Sequence, residues 1–428
     1  MKISAGALSS GRFFVYFYME AVMPIGIYIA LCVIYLIAMA LLWREGFFRS
    51  KAGIVLPALI MLSIIVVRAF MFGHETDDYL NFLKPWVEFF RNNGGFKALG
   101  HPVGNYNPPY LYFLALFSYF NISELYLIKL LSLLFDVLLA WACTKLLSVC
   151  IKKRSALIAC FFVILALPTV ALNGAYWAQC DSIYVFFGVL SIYLALSGKP
   201  AGSMISLAAS LAFKLQAIFI IPAFFVLLLA GKIKLKHVFV FPAAYTVFLL
   251  PPVFFGRPLI EVLTLYFNQA GTVGAAMNYN SPSVFSMLGN LDSSIWSKPA
   301  VMAAFAFMLI ILLFALLKRE YLSDKMILGF TLLLAIGIPF LLPHMHDRYF
   351  YFADVMSVIL AFTAPAFFPL PCFVQFASCL SYYAYLNMRY LLHPRTGGIC
   401  MLAALVLTFV YTFAIDKDVS LISRSKHT

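Results

Sequence analysis

Long apolar runs separated by short polar segments make up most of this sequence. A helix needs about 20 consecutive apolar residues to cross the hydrocarbon core of a bilayer. We therefore predict an all-α fold, a polytopic transmembrane helical bundle of about 11–13 helices forming a single domain over residues 1–428. The predicted spans are 20–43, 52–72, 126–149, 155–173, 181–197, 238–256, 299–317, 326–342, 349–368, 373–391 and 398–415.

Two further apolar stretches depart from this pattern. The stretch 201–230 carries Lys214 and Gln216 near its middle, followed by Pro222. Because a central lysine is costly in lipid, we predict two short helices that meet partway, or one broken helix. Residues 106–120 are predicted to form a surface or re-entrant helix, since a crossing there would move the next basic loop to the opposite face.

The composition supports a membrane protein. Hydrophobic residues make up 64% of the chain and charged residues 11%, whereas soluble domains average about 45–50% and about 25%. This excludes a soluble enzyme, a nucleic-acid-binding domain and a disordered protein. The net charge of +13 does not indicate nucleic acid, because the basic residues form short clusters between apolar runs. The eight cysteines show no disulfide or zinc spacing and fit small apolar positions.

The basic clusters predict the topology. Sixteen of the thirty lysines and arginines fall in six loops or tails on one face, which the positive-inside rule makes cytoplasmic. The same scheme places the N-terminus outside. The opposite, external face receives 73–125, 174–180, 257–298 and 343–348, which hold nearly all the unusual polar clusters. We therefore expect a site that works on the external face.

The first cluster of candidate residues is acidic. Asp77 and Asp78 follow the second predicted span directly, where a carboxylate is suited to taking a proton from a hydroxyl nucleophile. Two adjacent carboxylates also repel each other, so a divalent cation between them is an alternative. A solvated start of the loop explains the pair about equally well.

Aromatic and amide residues form the candidate sugar-binding groups. Tyr106 and Asn107 alternate with other aromatics and prolines, as in a sugar platform or an interfacial aromatic belt. Trp177, Gln179 and Asp181 can hydrogen-bond a sugar, although Asp181 also suits a helix N-terminus. The full set of predicted sugar- and acceptor-binding residues is Tyr106, Asn107, Trp177, Gln179, Asp181, Gln216 and Tyr349.

Basic residues form the candidate anion site. An intramembrane lysine such as Lys214 is a functional candidate, and a structural pair with an aspartate is the alternative. His344, His346 and Arg348 occupy a short external loop. Histidine, arginine and lysine together suit a phosphate, with arginine as a fork-shaped donor. A zinc site at the two histidines has weaker support, because other ligands are missing from the pattern.

These motifs resemble the GT-C superfamily of polytopic glycosyltransferases, over roughly Arg68 to Ala361. The similarity is greatest to a bacterial branch common in Gram-positive bacteria, with a looser similarity to the mannosyltransferases of GPI and phosphoinositol-mannoside assembly. Relatives often have glycine at the position of Ala178 and glutamate at that of Asp347. The matching stretches are Asp78-Tyr79, Asn81-Phe82-Leu83, Trp86, Gly94-Gly95, Asn105-Tyr106, Trp177-x-Gln179-x-Asp181-Ser182, Phe213-Lys214-Leu215-Gln216 and Met345-His346-Asp347-Arg348-Tyr349.

The resemblance implies an inverting transferase in the bacterial cytoplasmic membrane with its active site on the external face. Its donor would be a polyprenyl-phosphate sugar, and its acceptor an extracytoplasmic glycan or glycolipid. Asp78 maps best to the general base, while Lys214, His346 and Arg348 would hold the donor phosphate. No cofactor is required, and the cation at Asp77 and Asp78 stays open. The alternatives are a transporter or lipid-linked-sugar flippase, and a non-catalytic assembly subunit.

Overall fold

A computed structural model describes residues 23–48, 52–270, 274–289 and 291–424, and most of these residues are helical. The predicted start of the first span and the basic residues Arg49, Lys51 and Lys426 lie outside these ranges. The helices are α1 (Ile25–Arg44), α2 (Ala52–Ala69), α3 (Lys84–Asn92), α4 (Pro108–Phe117), α5 (Glu124–Cys150), α6 (Arg154–Ala166), α7 (Pro168–Ala171), α8 (Asp181–Leu196), α9 (Pro200–Phe213), α10 (Ile221–Leu229), α11 (Leu235–Val238), α12 (Val240–Leu249), α13 (Pro251–Phe254), α14 (Leu259–Ala270), α15 (Val284–Leu288), α16 (Ser293–Leu317), α17 (Asp324–Leu341), α18 (Tyr351–Thr363), α19 (Pro369–Leu386) and α20 (Pro394–Arg424).

Five helices of the described chain are long and apolar enough to cross a membrane. They are Ile25–Arg44, Glu124–Cys150, Ser293–Leu317, Asp324–Leu341 and Pro394–Ala414. The predicted span 155–173 is instead two helical pieces bent by 51°, where Pro168 begins the second piece. The all-α prediction is confirmed, but several predicted spans, including 181–197, 238–256 and 349–368, contain helices of only 10–17 residues.

The stretch 201–230 is broken where the sequence predicts. Helix α9 ends at Phe213, and Lys214 has an extended backbone with φ −153° and ψ 135°. A short 3-10 turn over Leu215–Phe219 and helix α10 follow. Polar contacts explain the break, because Lys214 leaves the helix and forms a buried ion pair with Asp181.

The loops at one end of the bundle meet through ion pairs. Glu45, after α1, accepts a hydrogen bond from Lys145 near the end of α5 at 2.9 Å. Lys232, after α10, lies 2.7 Å from Asp324 at the start of α17. These two contacts involve three of the predicted cytoplasmic segments, which are the ones after α1, after α10 and before α17.

The segment between α2 and α5 covers the other end. It contains a π-helical turn, Tyr79–Leu83, then α3, a 3-10 turn, Gly95–Gly100, and α4. Helix α4 lies within the predicted 106–120 and has ten residues, about 15 Å of length, so it cannot span a bilayer. Most α4 side chains are buried, so of the two predicted alternatives the re-entrant helix agrees better with the structure than a helix exposed on the surface.

A short strand pair joins two of the predicted external loops. Strand β1 (Asn278–Tyr279) runs parallel to strand β2 (Met345–His346), with Asn278 opposite Met345 and Tyr279 opposite His346. The backbone N–H of His344 also donates to the carbonyl of Met277 at 2.8 Å. The loop after α14 is thereby fixed beside the segment that carries Arg348.

Candidate functional site

The end of α2 is anchored so that Asp78 points into the bundle. The ammonium of Lys129, a residue buried in α5, donates to the carbonyls of Met71 at 3.0 Å and His74 at 2.6 Å. The Thr76 hydroxyl donates to the carbonyl of Trp177 at 3.0 Å. These bonds hold the turn that follows α2 against α5 and bring the two polar segments together.

Four donors surround the Asp78 carboxylate. Its Oδ2 accepts from Trp177 Nε1 at 2.9 Å and from Gln179 Nε2 at 2.8 Å, and Arg348 Nη1 lies 3.5 Å away. Its Oδ1 accepts from the Tyr385 hydroxyl at 2.8 Å. The side chain keeps 19% of its exposure. The carboxylate is therefore fixed in orientation, with Oδ1 the less occupied oxygen.

Tyr385 is a site residue that the sequence does not reveal. It lies on α19, inside an apolar run that predicts a span, and no motif surrounds it. Its ring stacks on Trp177 with centroids 4.4 Å apart and an interplanar angle of 18°. The only available signal is the cluster of tyrosines that ends α19, which also fits an interfacial aromatic belt.

The turn that presents Trp177 and Gln179 is rigid. The Gln179 N–H donates to the Asn173 carbonyl at 2.9 Å, and the Ser132 hydroxyl donates to the Gln179 carbonyl at 2.7 Å. Ala178, between the two site residues, has φ +65°, a left-handed conformation that favours glycine. A glycine at this position would adopt the same backbone conformation without the steric cost of a Cβ atom.

Asp77 does not share this environment. It is exposed, whereas the Asp78 carboxylate is partly buried among its four donors. Within the described ranges, no group of three or more His, Cys, Asp or Glu side chains is arranged to hold a metal ion.

Lys214 forms a buried ion pair with Asp181, and their side chains are 4% and 1% exposed. Asp181 also accepts from Asn173 Nδ2 at 2.7 Å. The ammonium of Lys214 lies 5.6 Å from the centre of the Tyr106 ring. The structure thus shows the alternative predicted for Lys214, an ion pair with an aspartate.

Arg348 carries unused hydrogen-bond donors. Its guanidinium lies 4.8 Å from the centre of the Trp177 ring. Its Nε is 3.6 Å from Asp347 and its Nη1 is 3.5 Å from Asp78, both longer than normal hydrogen bonds. Among the described residues, neither nitrogen has a hydrogen-bond partner, although both atoms are buried. Such a group is suited to an incoming anion.

The two histidines have different environments. His346 stacks on Tyr279 with centroids 4.7 Å apart, and burial together with the charge of Arg348 lowers the pKa of His346 to about 4. His346 is therefore a neutral hydrogen-bonding group at neutral pH. His344 has φ +61°, and its ring nitrogens contact the carbonyl of Ala276 at 2.7 Å and the hydroxyl of Ser297 at 3.0 Å. Both nitrogens are occupied, so the structure does not offer His344 to a phosphate or to a zinc ion shared with His346.

The remaining predicted sugar-binding residues have different contacts. Tyr106 packs edge-on against Trp86, with centroids 5.4 Å apart, while Asn107 donates to the Tyr245 hydroxyl at 2.9 Å. Tyr349 lies beside His346, with centroids 5.4 Å apart. Two buried acceptors in the set, Asn107 Oδ1 and Gln216 Oε1, have no hydrogen-bond partner in the described structure.

Asp347 is a third buried carboxylate in this cluster. It is 3% exposed, and burial raises its pKa to about 7, opposed by Arg348 and assisted by the charges of Asp78 and Asp181. The site therefore combines one oriented carboxylate, a guanidinium with free donors, a neutral imidazole and an acid that titrates near neutral pH. A scan against protein-family models finds no matching family, and a search of the curated proteins finds no match.

Proposed function

We propose that the protein is an inverting glycosyltransferase that moves a sugar from a polyprenyl-phosphate donor to an extracytoplasmic glycan or glycolipid. The observation that carries the proposal is the proximity of two oppositely charged groups. The Asp78 carboxylate, suited to a general base, lies 3.5 Å from the guanidinium of Arg348, whose Nε and Nη1 have no hydrogen-bond partner in the described structure. The carboxylate and the anion-binding guanidinium thus line the same pocket, where a bound acceptor and donor phosphate would each meet the group that its role needs.

The chemistry is a single displacement. Asp78 Oδ1, which among the described residues accepts one hydrogen bond, from Tyr385, takes the proton of the acceptor hydroxyl as that oxygen attacks the anomeric carbon. The bond between this carbon and the phosphate oxygen breaks, and polyprenyl phosphate leaves with the electron pair. Arg348 stabilises the negative charge that develops on the phosphate. Attack opposite the leaving group inverts the anomeric configuration.

Two observations support the proposed placement in a membrane. Five helices are long and apolar enough to cross a bilayer, and a donor with a polyprenyl chain is held in one. Basic loops meet at the end that contains Glu45 and Asp324. Chain direction along α2 and α5 places Asp78 at the other end, which the positive-inside rule makes external. We propose the bacterial cytoplasmic membrane as the location and a GT-C-like architecture for the bundle.

The transporter alternative has less support. An intramembrane lysine at a broken helix is typical of transport sites, but here Lys214 is neutralised by Asp181. Among the described residues, the buried charged donors without a partner belong to Arg348, in a predicted external loop. A non-catalytic assembly subunit would need neither an oriented carboxylate nor unused guanidinium donors next to it.

The test uses the purified protein in lipid with a panel of polyprenyl-phosphate sugars and a cell-wall acceptor extract. Release of polyprenyl phosphate is measured for the wild type, for Asp78→Asn and for Glu88→Gln, which removes an exposed carboxylate of α3. We expect Asp78→Asn to abolish acceptor-dependent release while donor binding persists, and Glu88→Gln to behave as the wild type. Near-normal release by Asp78→Asn would contradict the role of Asp78, and movement of sugar lipids across the bilayer without release would favour the flippase.

A second arm tests the phosphate site. Arg348→Ala should weaken donor binding by about 2–5 kcal/mol, the usual effect of removing one partner of a desolvated charge pair. Unchanged donor affinity would remove Arg348 from the phosphate site, whatever the turnover of the variant.

A further inference from the structure

The charges around Arg348 do not balance when all groups are ionised. Three carboxylates, Asp78, Asp181 and Asp347, face two cations, Lys214 and Arg348. His346 is neutral in this environment, so the cluster carries one net negative charge before any ligand binds. A phosphodiester at Arg348 would add a second negative charge within a partly buried site, which is costly unless a proton is taken up.

The three carboxylates differ in how well they are compensated. Asp78 accepts three hydrogen bonds, and Asp181 is bound by Lys214 and Asn173. Asp347 is 3% exposed, and its cation, Arg348 Nε, is 3.6 Å away, beyond hydrogen-bond distance. The hydrogen bond that its carboxylate does accept comes from the backbone N–H of Arg348. Asp347 is therefore the carboxylate at which protonation loses the least.

The ligand would weaken that compensation further. An anion that engages the free N–H groups of Arg348 neutralises the cation that opposes the charge of Asp347. The titratable and charged groups that interact with Asp347 come from its own loop, the first external segment, the start of α8 and the end of α19. They are Arg348, Tyr349, Asp78, Asp181 and Tyr385.

We propose that binding of a phosphodiester at Arg348 is coupled to the uptake of one proton by Asp347. The inference rests on the proposed function and adds a positioning and charge-balancing residue to the donor site. The pKa of Asp347, about 7 without an anion, places the transition near neutral pH. Above that pH the free protein has lost the proton that the complex needs, so donor affinity falls as pH rises, by at most tenfold per pH unit for one proton.

The experiment measures binding of the methyl diester of a short-chain polyprenyl phosphate, which keeps a single negative charge across the range used. Calorimetry on the full chain in lipid nanodiscs, from about pH 6 to about pH 9, gives Kd. Two buffers of different ionisation enthalpy give the protons taken up. We expect Kd to rise above pH 7, with proton uptake approaching one per ligand at the alkaline end.

Variants assign the proton. Asp347→Asn should bind independently of pH and more tightly than the wild type at about pH 8.5, while Asp347→Glu should retain the pH dependence. Glu88→Gln is the matched control and should follow the wild type. A wild-type Kd that is flat with pH, or a slope that survives Asp347→Asn, would overturn the inference and leave the phosphate site standing.

Two further outcomes are also decisive. If the wild type binds no diester at any pH, the phosphate site of the proposed function is wrong and the coupling falls with it. If Asp347→Asn does not fold, the wild type measured in the two buffers decides, because equal heats in both buffers exclude proton uptake.

Discussion

The ion pair between Lys214 and Asp181 allows the stabilising role of this lysine to be separated from donor binding. Their side chains are 4% and 1% exposed, so Lys214→Met alone leaves a buried carboxylate with Asn173 as its remaining side-chain donor. Breaking a buried pair from one side costs about 3–5 kcal/mol. We expect the free energy of unfolding of Lys214→Met to fall by about that amount.

The double variant restores the balance. Replacing both members of a buried pair by neutral groups of similar volume is often nearly neutral. Lys214→Met combined with Asp181→Asn should therefore recover most of the lost stability. An ammonium has three N–H donors, and Asp181 is the acceptor of one of them. The resemblance to GT-C enzymes implies that the other two bind the donor phosphate, and the double variant removes them. We expect the double variant to bind the donor at least about tenfold more weakly than the wild type, by the usual cost of a lost charged contact.

Both quantities are measurable on the same samples. Chemical unfolding in mixed micelles gives the stability of the four members of the cycle, and titration with the phosphodiester gives Kd. A single variant as stable as the wild type, or a double variant no more stable than Lys214→Met, would refute the account of the buried pair. Recovered stability with wild-type affinity would show that Lys214 is structural only.

Three smaller predictions concern the groups around Asp78. Tyr385→Phe keeps the stack on Trp177 but removes a hydrogen bond to a carboxylate, so kcat should fall roughly ten- to a hundredfold with KM for the donor unchanged; equal kcat would contradict the role. Ala178→Gly relieves a left-handed residue and should raise stability by about 1 kcal/mol, whereas a lower unfolding temperature would contradict the strain. The low pKa of His346, about 4, means that the unfolded chain binds a proton before the folded one, so stability falls as pH drops from about 6.5 towards 4; His346→Gln should lose less stability between about pH 7 and about pH 5, and an identical loss would contradict the assignment.

The sequence predicts the break at Lys214 because a single charge in an apolar run has few solutions. A lysine in lipid must leave the helix, find a partner or reach water, and Pro222 soon after favours two short helices. The same logic brings Asp78, Trp177, Gln179 and Arg348 to one end of the bundle, since each follows or precedes a predicted span. That these residues share one end can be predicted because it depends only on counting spans and basic loops.

The sequence does not predict which side chains contact one another at that end of the bundle. Tyr385 reaches Asp78 across 307 residues, and its position depends on how α19 packs against the other helices. His344 occupies the same motif as His346, yet its left-handed backbone turns its ring towards Ala276 and Ser297. Span lengths also fail, because packed helices can be shorter than the apolar run that contains them when other helices shield their ends from lipid.

The position of the buried pair bears on the choice between enzyme and transporter. A transport path through the break between α9 and α10 would have to separate Lys214 from Asp181 in each cycle. The cost would be comparable to the roughly 3–5 kcal/mol expected for breaking the pair. Glycosyl transfer with the donor phosphate bound at Arg348 requires no such step. The Nε and Nη1 of Arg348 are already without partners among the described residues, and Asp78 is already oriented by Trp177 and Gln179. Preorganised groups reduce the reorganisation that a reaction must undergo, whereas alternating access depends on contacts that break and re-form. The rigid turn around Ala178 and the strand pair beside His346 therefore favour catalysis at a fixed site over transport through a moving one.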